Sequence, residues 1–352
     1  MPDDAFRPGR TPPRSTRPFR VGLLLPRSGP AALWRLGVEA GARLAADALT
    51  EDGGAGGRPV EILEADAGAA PESAVEAVRT LAAAGAEAVV GMQLSHQRNA
   101  VARALGGRAP YVFIPHYEGG WCGPGVTPLG LGDAETLGPA LAWFAARAGV
   151  RRLFFVGNDY VWPRAAHGAA REAARGAGLA FAGAALLPVG FADPAPLMTR
   201  IAVARPDLVV TVLIGEDAVR FHRAFAAAGL PASAARLALG FDETLLWAVG
   251  ARAAEGLFAV QPFVIGADPG PREALLARYA ARFGDRRPPV AANTLACHDG
   301  VRLAAALARR ALRGVSRAAA LDLLGAPDGR RDRPPAILAE ADGARFRPRL
   351  AC

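Results

Sequence analysis

Four segments of the sequence place polar and aromatic side chains at the ends of predicted strands. They are GMQLSHQRNA at 91–100, FIPHYEG at 113–119, GNDYVWPR at 157–164 and GED at 215–217. Ligands of open parallel sheets bind beyond the carboxyl ends of the strands. We therefore expect the chemistry of this protein to lie in these segments.

Each segment allows both a structural and a binding role. Ser95 could cap the helix that follows it, and the free N–H groups of that helix terminus could bind a carbonyl or carboxylate. Tyr160 and Trp162 could line a small pocket or pack at a domain interface. Glu216 and Asp217 could cap the next helix or accept hydrogen bonds from a ligand. Residue types alone leave both roles open.

The sequence contains no recognisable catalytic motif. No G-x-G-x-x-G follows a predicted strand, and the sequence lacks G-x-S-x-G and H-E-x-x-H. The five histidines are scattered singly, and Cys122, Cys297 and Cys352 are too far apart for a C-x-x-C site. We predict that the protein is not an enzyme and uses no metal or cofactor.

The elements that must position these segments alternate between strand and helix. Strands are predicted at 19–25, 60–64, 88–90 and 111–114, with helices between them, and such alternation favours a doubly wound parallel sheet. The Gly- and Pro-rich stretch 118–132 predicts a hinge without regular structure. A second strand–helix series follows it, and the tail predicts a hairpin. A chain of 352 residues also favours two domains.

We predict an α/β protein with two doubly wound parallel-sheet lobes joined by a multi-strand hinge. Lobe 1 is predicted to contain residues 19–135 and 262–325, and lobe 2 residues 136–261 and 326–352. Residues 1–18 are rich in Pro and Arg and are predicted to form a disordered tail.

The motifs LSHQRNAV, PHYEGG, GNDYVWPR, AAEGLFAVQPF and ARFRPRLA, in this order, resemble the amide- and urea-binding branch of the type I periplasmic binding proteins. The similarity runs from about Phe19 to Leu350. That branch includes a cytoplasmic sensor of amides, which controls an RNA-binding antiterminator, and receptors of ABC transporters. The resemblance implies lobes that close on a short amide or urea.

The resemblance also implies roles for individual residues. Ser95 and Tyr160 would contact the amide, and the pocket would be lined by Gln93, Pro115, Glu216 and Phe263. Tyr117 and Glu118 would keep the family's Tyr-Glu-Gly turn. We also expect Tyr117, and Asp217 beside Glu216, to be ligand-binding residues.

Several of these positions depart from the pattern of the family. Gln93 replaces an aromatic residue, Pro115 a Thr, and Glu216-Asp217 small or hydroxyl residues, and Leu295-Ala-Cys297-His298 replaces a Tyr-bearing motif. A carboxylate in a closing cleft is costly unless it meets a donor-rich ligand. The departures therefore suggest urea, a guanidine or an amino-amide.

Composition bears on location and partners. The net charge is +8 and all basic residues are Arg, but without a recognition motif we predict no direct nucleic-acid binding. The N-terminal residues lack an apolar signal region, and no segment predicts a membrane span. We expect a cytoplasmic sensor with an antiterminator-type partner. The alternative is an extracytoplasmic receptor for amides, urea or branched-chain amino acids that delivers them to an ABC permease, and the oligomeric state is left open.

Overall fold

A computed structural model describes residues 17–120, 122–147, 149–265, 272–325 and 336–351. The first part of the chain contains β1 (Phe19–Leu25), α1 (Arg35–Glu51), β2 (Val60–Asp66), α2 (Pro71–Ala83), β3 (Ala88–Gly91), α3 (Ser95–Leu105), β4 (Tyr111–Phe113), β5 (Val126–Pro128) and α4 (Asp133–Arg147). The second part contains β6 (Arg152–Asn158), α5 (Val161–Gly176), β7 (Ala180–Leu187), α6 (Ala195–Ala204), β8 (Leu208–Val212), α7 (Gly215–Ala227), β9 (Ala235–Leu239), α8 (Glu243–Val249), β10 (Leu257–Gln261), α9 (Glu273–Phe283), α10 (Ala292–Arg309), α11 (Arg317–Leu324), β11 (Ile337–Asp342) and β12 (Arg345–Ala351).

The strands form two sheets of related topology. Strands β1–β5 make a parallel sheet in the order β2-β1-β3-β4-β5. In the second sheet, β6–β10 follow the equivalent order β7-β6-β8-β9-β10, and the predicted hairpin β11–β12 extends it antiparallel to β10. In each sheet the chain first adds a strand on one side of the starting strand and then continues on the other side. This change of direction lies between β1 and β3 in the first sheet and between β6 and β8 in the second. The predicted fold class, with two doubly wound sheets, is confirmed.

Each sheet and the helices packed on it form one lobe. We call the lobe around β1–β5 lobe 1 and the lobe around β6–β12 lobe 2. Helices α9 and α10 follow β10 in sequence but pack against α1 of lobe 1. The chain therefore passes between the lobes three times, after β5, after β10 and before β11. The predicted boundaries near residues 135, 261 and 325 stay a proposal, and residues 1–16 of the predicted disordered tail lie outside the described residues.

Burial explains why these segments form these elements. Every residue of β8 and β10 is buried, as expected for strands covered by helices on both faces. On α5, Ala166, Ala170 and Ala174 recur every four residues and form the buried stripe. Small side chains on that stripe let the helix lie close to its sheet.

Four elements were not predicted from the sequence. The segment 118–132, expected to lack regular structure, contains the three-residue strand β5, which pairs with β4. Helix α4 was missed because Gly138 and Pro139 interrupt its pattern, and α8 and α11 are too short to show a clear period. Among the described residues, no helix combines the length and apolar character that a membrane crossing requires.

Candidate functional site

The ends of the central strands of the two sheets meet across a cleft between the lobes. They enclose a small cavity of about 50 Å³, which we call the cleft cavity. Lobe 1 contributes residues that follow β1, β3 and β4, and lobe 2 contributes residues that follow β6, β8 and β9. The main side chains of the wall are Trp34, Met92, Gln93, Ser95, Pro115, His116, Tyr160, Trp162, Ile214 and Asn293.

Gln93 lies at the floor of the cleft cavity and is 1% exposed. Its side chain folds over Gly91, where an added Cβ atom would overlap Oε1. The amide nitrogen donates to the hydroxyl of Tyr111, whereas Oε1 is buried without a partner in the described part of the chain. Buried polar atoms are normally hydrogen-bonded, so Oε1 is a candidate acceptor for a ligand.

Ser95 is the first residue of α3, and Leu94 occupies the N-cap position. The Ser95 side chain is buried and makes no capping hydrogen bond among the described residues, because Ser95 lies one position beyond the N-cap. Gln97 Oε1 accepts from the backbone N–H of Leu94 at 3.0 Å. Of the two roles considered for Ser95, the side-chain cap is therefore wrong. The hydroxyl and the helix N-terminus lie at the cavity wall.

Tyr160 reaches the cleft cavity from lobe 2, directly before α5. Its ring meets the ring of His96 from lobe 1 edge-on, with centroids 5.6 Å apart. Burial, with the carboxylates of Glu118 and Asp133 nearby, raises the pKa of Tyr160 well above its usual value. The phenol is therefore neutral at physiological pH and can donate or accept a hydrogen bond.

His116 and Trp162 stack across the cleft with ring centroids 5.1 Å apart. The Trp162 Nε1 donates to Asp133 Oδ1 at 2.9 Å, which fixes the indole. Burial lowers the pKa of His116 to about 4, with Arg317 adding to the effect. The imidazole is therefore neutral at pH 7, and its buried Nδ1 has no hydrogen-bond partner among the described residues.

Further contacts hold the lobes together beside the cavity. The Asp242 carboxylate of lobe 2 accepts hydrogen bonds from Trp34 Nε1 at 2.9 Å and from Asn293 Nδ2 at 3.2 Å. At the start of α7, Gly215 approaches the backbone of Pro30 so closely that an added Cβ atom would overlap the carbonyl oxygen. From these contacts across the cleft we infer that the lobes are closed.

Similarity to known proteins agrees with this architecture. A family model described as periplasmic binding protein matches residues 18–326. The chain belongs to the periplasmic binding protein family. The match extends through both series of strands and helices, and the two-lobed type I fold of the family is the fold described above.

Solved structures of periplasmic binding proteins share this fold over nearly their whole length. An ABC transporter substrate-binding protein from Sphaerobacter thermophilus is 24% identical, with 92% of this chain and 93% of that chain covered and a TM-score of 0.71. A solute binding protein from R. palustris in complex with benzoate is 19% identical, with 94% and 95% covered and a TM-score of 0.75. A branched-chain amino acid transporter substrate binding protein from Streptococcus pneumoniae in complex with isoleucine is 15% identical, with 94% and 98% covered and a TM-score of 0.75. At these identities the likeness shows the shared fold.

The structure brings four of the predicted site residues to the cleft cavity: Gln93, Ser95, Pro115 and Tyr160. Phe263 lines a neighbouring cavity, and Tyr117 is half-buried outside the cleft cavity, where its hydroxyl donates to the Gly120 carbonyl. Glu216 is exposed, and it does not line the cleft cavity. The expected contribution of its carboxylate to ligand binding has no geometric support here.

Asp217 is also turned away from the cleft cavity. Its fully buried carboxylate accepts from Asn158 Nδ2 at 2.7 Å, from the backbone N–H of Gly190 at 2.8 Å and from Arg220 at 2.9 Å. Asn158 Oδ1 in turn accepts from the backbone N–H of Ile214 at 3.0 Å. Asp217 therefore organises the ends of β6 and β8, and its hydrogen bonds leave it little capacity for a ligand.

Trp34, Asp242 and Asn293 were not predicted as parts of the site, and His116 was not singled out although it lies in the predicted segment 113–119. Trp34, His116 and Asp242 each follow a strand, so the strand-end rule could have found all three. Asn293 carries no such signal, because it lies at the start of α10, a helix of lobe 1 that follows a strand of lobe 2 in the chain.

Proposed function

We propose that this chain is a solute-binding receptor that closes its two lobes on a small, uncharged, amide-like molecule and delivers it to an ABC permease. The observation that carries the proposal is the composition of the cleft cavity. Gln93 Oε1 and His116 Nδ1 are buried there without a hydrogen-bond partner among the described residues, and the surrounding wall is uncharged. Among the described residues, no charged side chain lines this cavity. A carboxylate or ammonium group would enter it without a counter-ion, at a high desolvation cost.

The size of the cavity supports a small solute. Each water-sized atom needs roughly 10–15 Å³ of such volume, so about 50 Å³ accommodates a handful of atoms. Acetamide and urea have four non-hydrogen atoms each. Benzoate and isoleucine, which the similar structures hold, are larger and charged.

The polar groups of the wall complement a primary amide. The carbonyl of an amide can accept from the Ser95 hydroxyl and from the N-terminus of α3, and its NH2 group can donate to Gln93 Oε1 and to neutral His116. Trp34, Met92 and Ile214 supply apolar walls for a short tail. Because Glu216 and Asp217 point elsewhere, this arrangement favours amides and urea over guanidines.

The family and the similar structures favour transport over sensing. The three similar structures described above are all substrate-binding proteins of transporters, whereas the cytoplasmic sensor is suggested by the sequence motifs alone. Cell fractionation and uptake of a labelled amide by a deletion strain distinguish the two. Loss of uptake and recovery of the protein outside the cytoplasm support the receptor, and amide-dependent gene expression with normal uptake supports the sensor.

A thermal-shift and calorimetry screen tests the ligand class. The panel contains acetamide, butyramide, urea, isoleucine and benzoate, and a ligand at about 100 times its Kd adds roughly 2.7 kcal/mol of stability. We expect acetamide or urea to bind and Ser95→Ala or Tyr160→Phe to weaken binding about tenfold or more.

Matched controls separate binding from folding. Ser73→Ala changes an exposed serine on α2, and Tyr279→Phe removes a hydroxyl that donates to the Pro288 carbonyl far from the cleft. Both should bind like the wild type. Binding of benzoate or isoleucine in preference to every amide, or amide binding that survives Ser95→Ala and Tyr160→Phe, refutes the proposal.

A further inference from the structure

A second cavity lies beside the cleft cavity, where the chain passes between the lobes. We call it the hinge cavity, and its volume is about 130 Å³. Its wall is formed by Leu129–Leu131 after β5, by Gln261, Pro262 and Phe263 at the end of β10, and by residues of α10 and α11. His116, Gly240 and Asn293 line both cavities. The two cavities are therefore neighbours that share part of their walls.

Gln261 and His116 are polar side chains of the hinge cavity with unfilled hydrogen bonds in the described part of the chain, and Gln261 lines the hinge cavity but not the cleft cavity. Gln261 is 2% exposed, and neither Oε1 nor Nε2 has a partner in the described part of the chain. Leaving a buried amide without partners is costly, whereas an apolar residue of the same shape would fill this position without that cost. A ligand with a polar group next to Gln261 would supply the hydrogen bonds that this buried amide lacks.

The charged residues of the hinge cavity already have partners. Arg272 pairs with Asp299 at 3.0 Å and lies over the ring of Phe263. Arg317 pairs with Glu135 and donates to the Leu129 carbonyl. Asp242 accepts the hydrogen bonds of Trp34 and Asn293. The group that meets Gln261 is therefore expected to be neutral.

We propose that the hinge cavity is a second subsite, and that the solute is a neutral two-ended molecule with an amide in the cleft cavity and a second hydrogen-bonding group on Gln261. This inference rests on the proposed function and narrows its substrate class. An amide at the second end would form two hydrogen bonds with Gln261, one donated by Nε2 and one accepted by Oε1. Leu129, Pro262 and Phe263 would contact the apolar linker.

Calorimetry with a matched pair of ligands tests this inference on the full chain. Succinamide carries an amide at both ends, and 4-methylpentanamide keeps its length and shape but ends in an isopropyl group. We expect succinamide to bind about tenfold more tightly or better, because the isopropyl group leaves the Gln261 amide unpaired. In Gln261→Leu the ratio of the two Kd values should fall to about one or reverse.

Gln261→Leu removes an unpartnered amide, so we expect it to fold, and its melting temperature checks this. Gln261→Glu provides an independent measurement. Its carboxylate should shift the preference towards 4-aminobutanamide, whose ammonium group would meet it. A crystal structure of the succinamide complex should show the second amide on Gln261.

The outcomes separate the two proposals. If both ligands bind equally, or Gln261→Leu keeps the preference for succinamide, or the crystal shows only water on Gln261, the hinge subsite is refuted while amide binding in the cleft cavity stands. If no amide binds at all, the proposed function fails and the subsite fails with it.

Discussion

The indole Nε1 of Trp34 in lobe 1 donates a 2.9 Å hydrogen bond to Oδ1 of Asp242 in lobe 2, and the two residues are 208 positions apart in the chain. Both side chains are buried, at 6% and 2% exposure. The bond joins the lobes beside the cleft cavity, so it exists only when they are closed. It couples the conformation of the protein to the occupancy of the cleft, because a solute held by both lobes binds the closed state preferentially.

Trp34→Phe should weaken solute binding. The substitution keeps an aromatic ring but removes the N–H group, and a hydrogen bond to a charged group contributes about 1.5–3 kcal/mol. Because the closed state loses this bond, we expect Kd to rise about tenfold to a hundredfold in calorimetry. Trp247→Phe is the control, since its indole donates to the Ala344 carbonyl within lobe 2. Equal Kd values for both variants would show that the Trp34 bond does not stabilise closure.

Gly215→Ala should prevent full closure. Gly215 has a φ of +48°, and its added Cβ would meet the backbone carbonyl oxygen of Pro30, which cannot rotate away. Gly229→Ala is a matched control with a φ of +72°, and no atom of the described residues lies within 4 Å of the added Cβ. Both variants carry the cost of alanine in the left-handed region, about 1–2 kcal/mol.

The two glycine variants should therefore have similar melting temperatures but different solution shapes. We expect small-angle scattering with saturating solute to give a larger radius of gyration for Gly215→Ala than for Gly229→Ala, with solute affinity reduced at least about tenfold. If Gly215→Ala closes and binds solute like Gly229→Ala, the close approach of Gly215 to Pro30 is not required for closure.

Arg98→Ala should strongly destabilise lobe 1. The guanidinium forms two hydrogen bonds of 2.9 and 2.7 Å with Glu118 and lies between the rings of Phe113 and Tyr117. The side chains of the pair are only 1% and 7% exposed, so removing Arg98 leaves a buried carboxylate uncompensated. We expect the free energy of unfolding to fall by about 3–5 kcal/mol in urea titrations.

The exposed pair of Arg79 and Glu76 provides the comparison for Arg98, because its side chains are 70% and 74% exposed. Arg79→Ala should change the free energy of unfolding by less than about 1 kcal/mol. If Arg98→Ala costs as little as Arg79→Ala, the buried pair is not a determinant of stability.

Glu243 should make the stability of the protein depend on pH. Burial, with a smaller contribution from Asp242, raises its pKa from 4.5 to about 8. The folded state therefore binds more protons than the unfolded state between these values, and stability falls as pH rises through this window. Glu243→Gln keeps the acceptor for the N–H of Ile265 but cannot ionise.

We expect Glu243→Gln to reduce the loss of melting temperature between pH 5 and pH 9. Glu76→Gln, on the exposed surface of α2, should follow the wild-type pH profile. Parallel profiles for the wild type and Glu243→Gln would contradict the raised pKa of Glu243.

The local sequence was sufficient to predict the fold class and the segments that supply the cleft cavity. Strand and helix patterns depend on neighbours a few residues apart, so β1, α2 and β6 could be located from their own segments. The carboxyl ends of parallel strands lie at one edge of their sheet, so the segments 91–100, 113–119 and 157–164 could be expected to bind a ligand. Within these segments, the family resemblance singled out Gln93, Ser95, Pro115 and Tyr160.

Only the tertiary structure decided how the cavity is closed. Glu216 and Asp217 are adjacent at the start of α7, yet one is exposed and the other fully buried, because successive helical residues point about 100° apart and packing chooses which faces inward. The partnership of Trp34 and Asp242 depends on how two separately formed lobes meet. Contacts of that kind are set by the docking of whole surfaces, so no pattern along the chain records them.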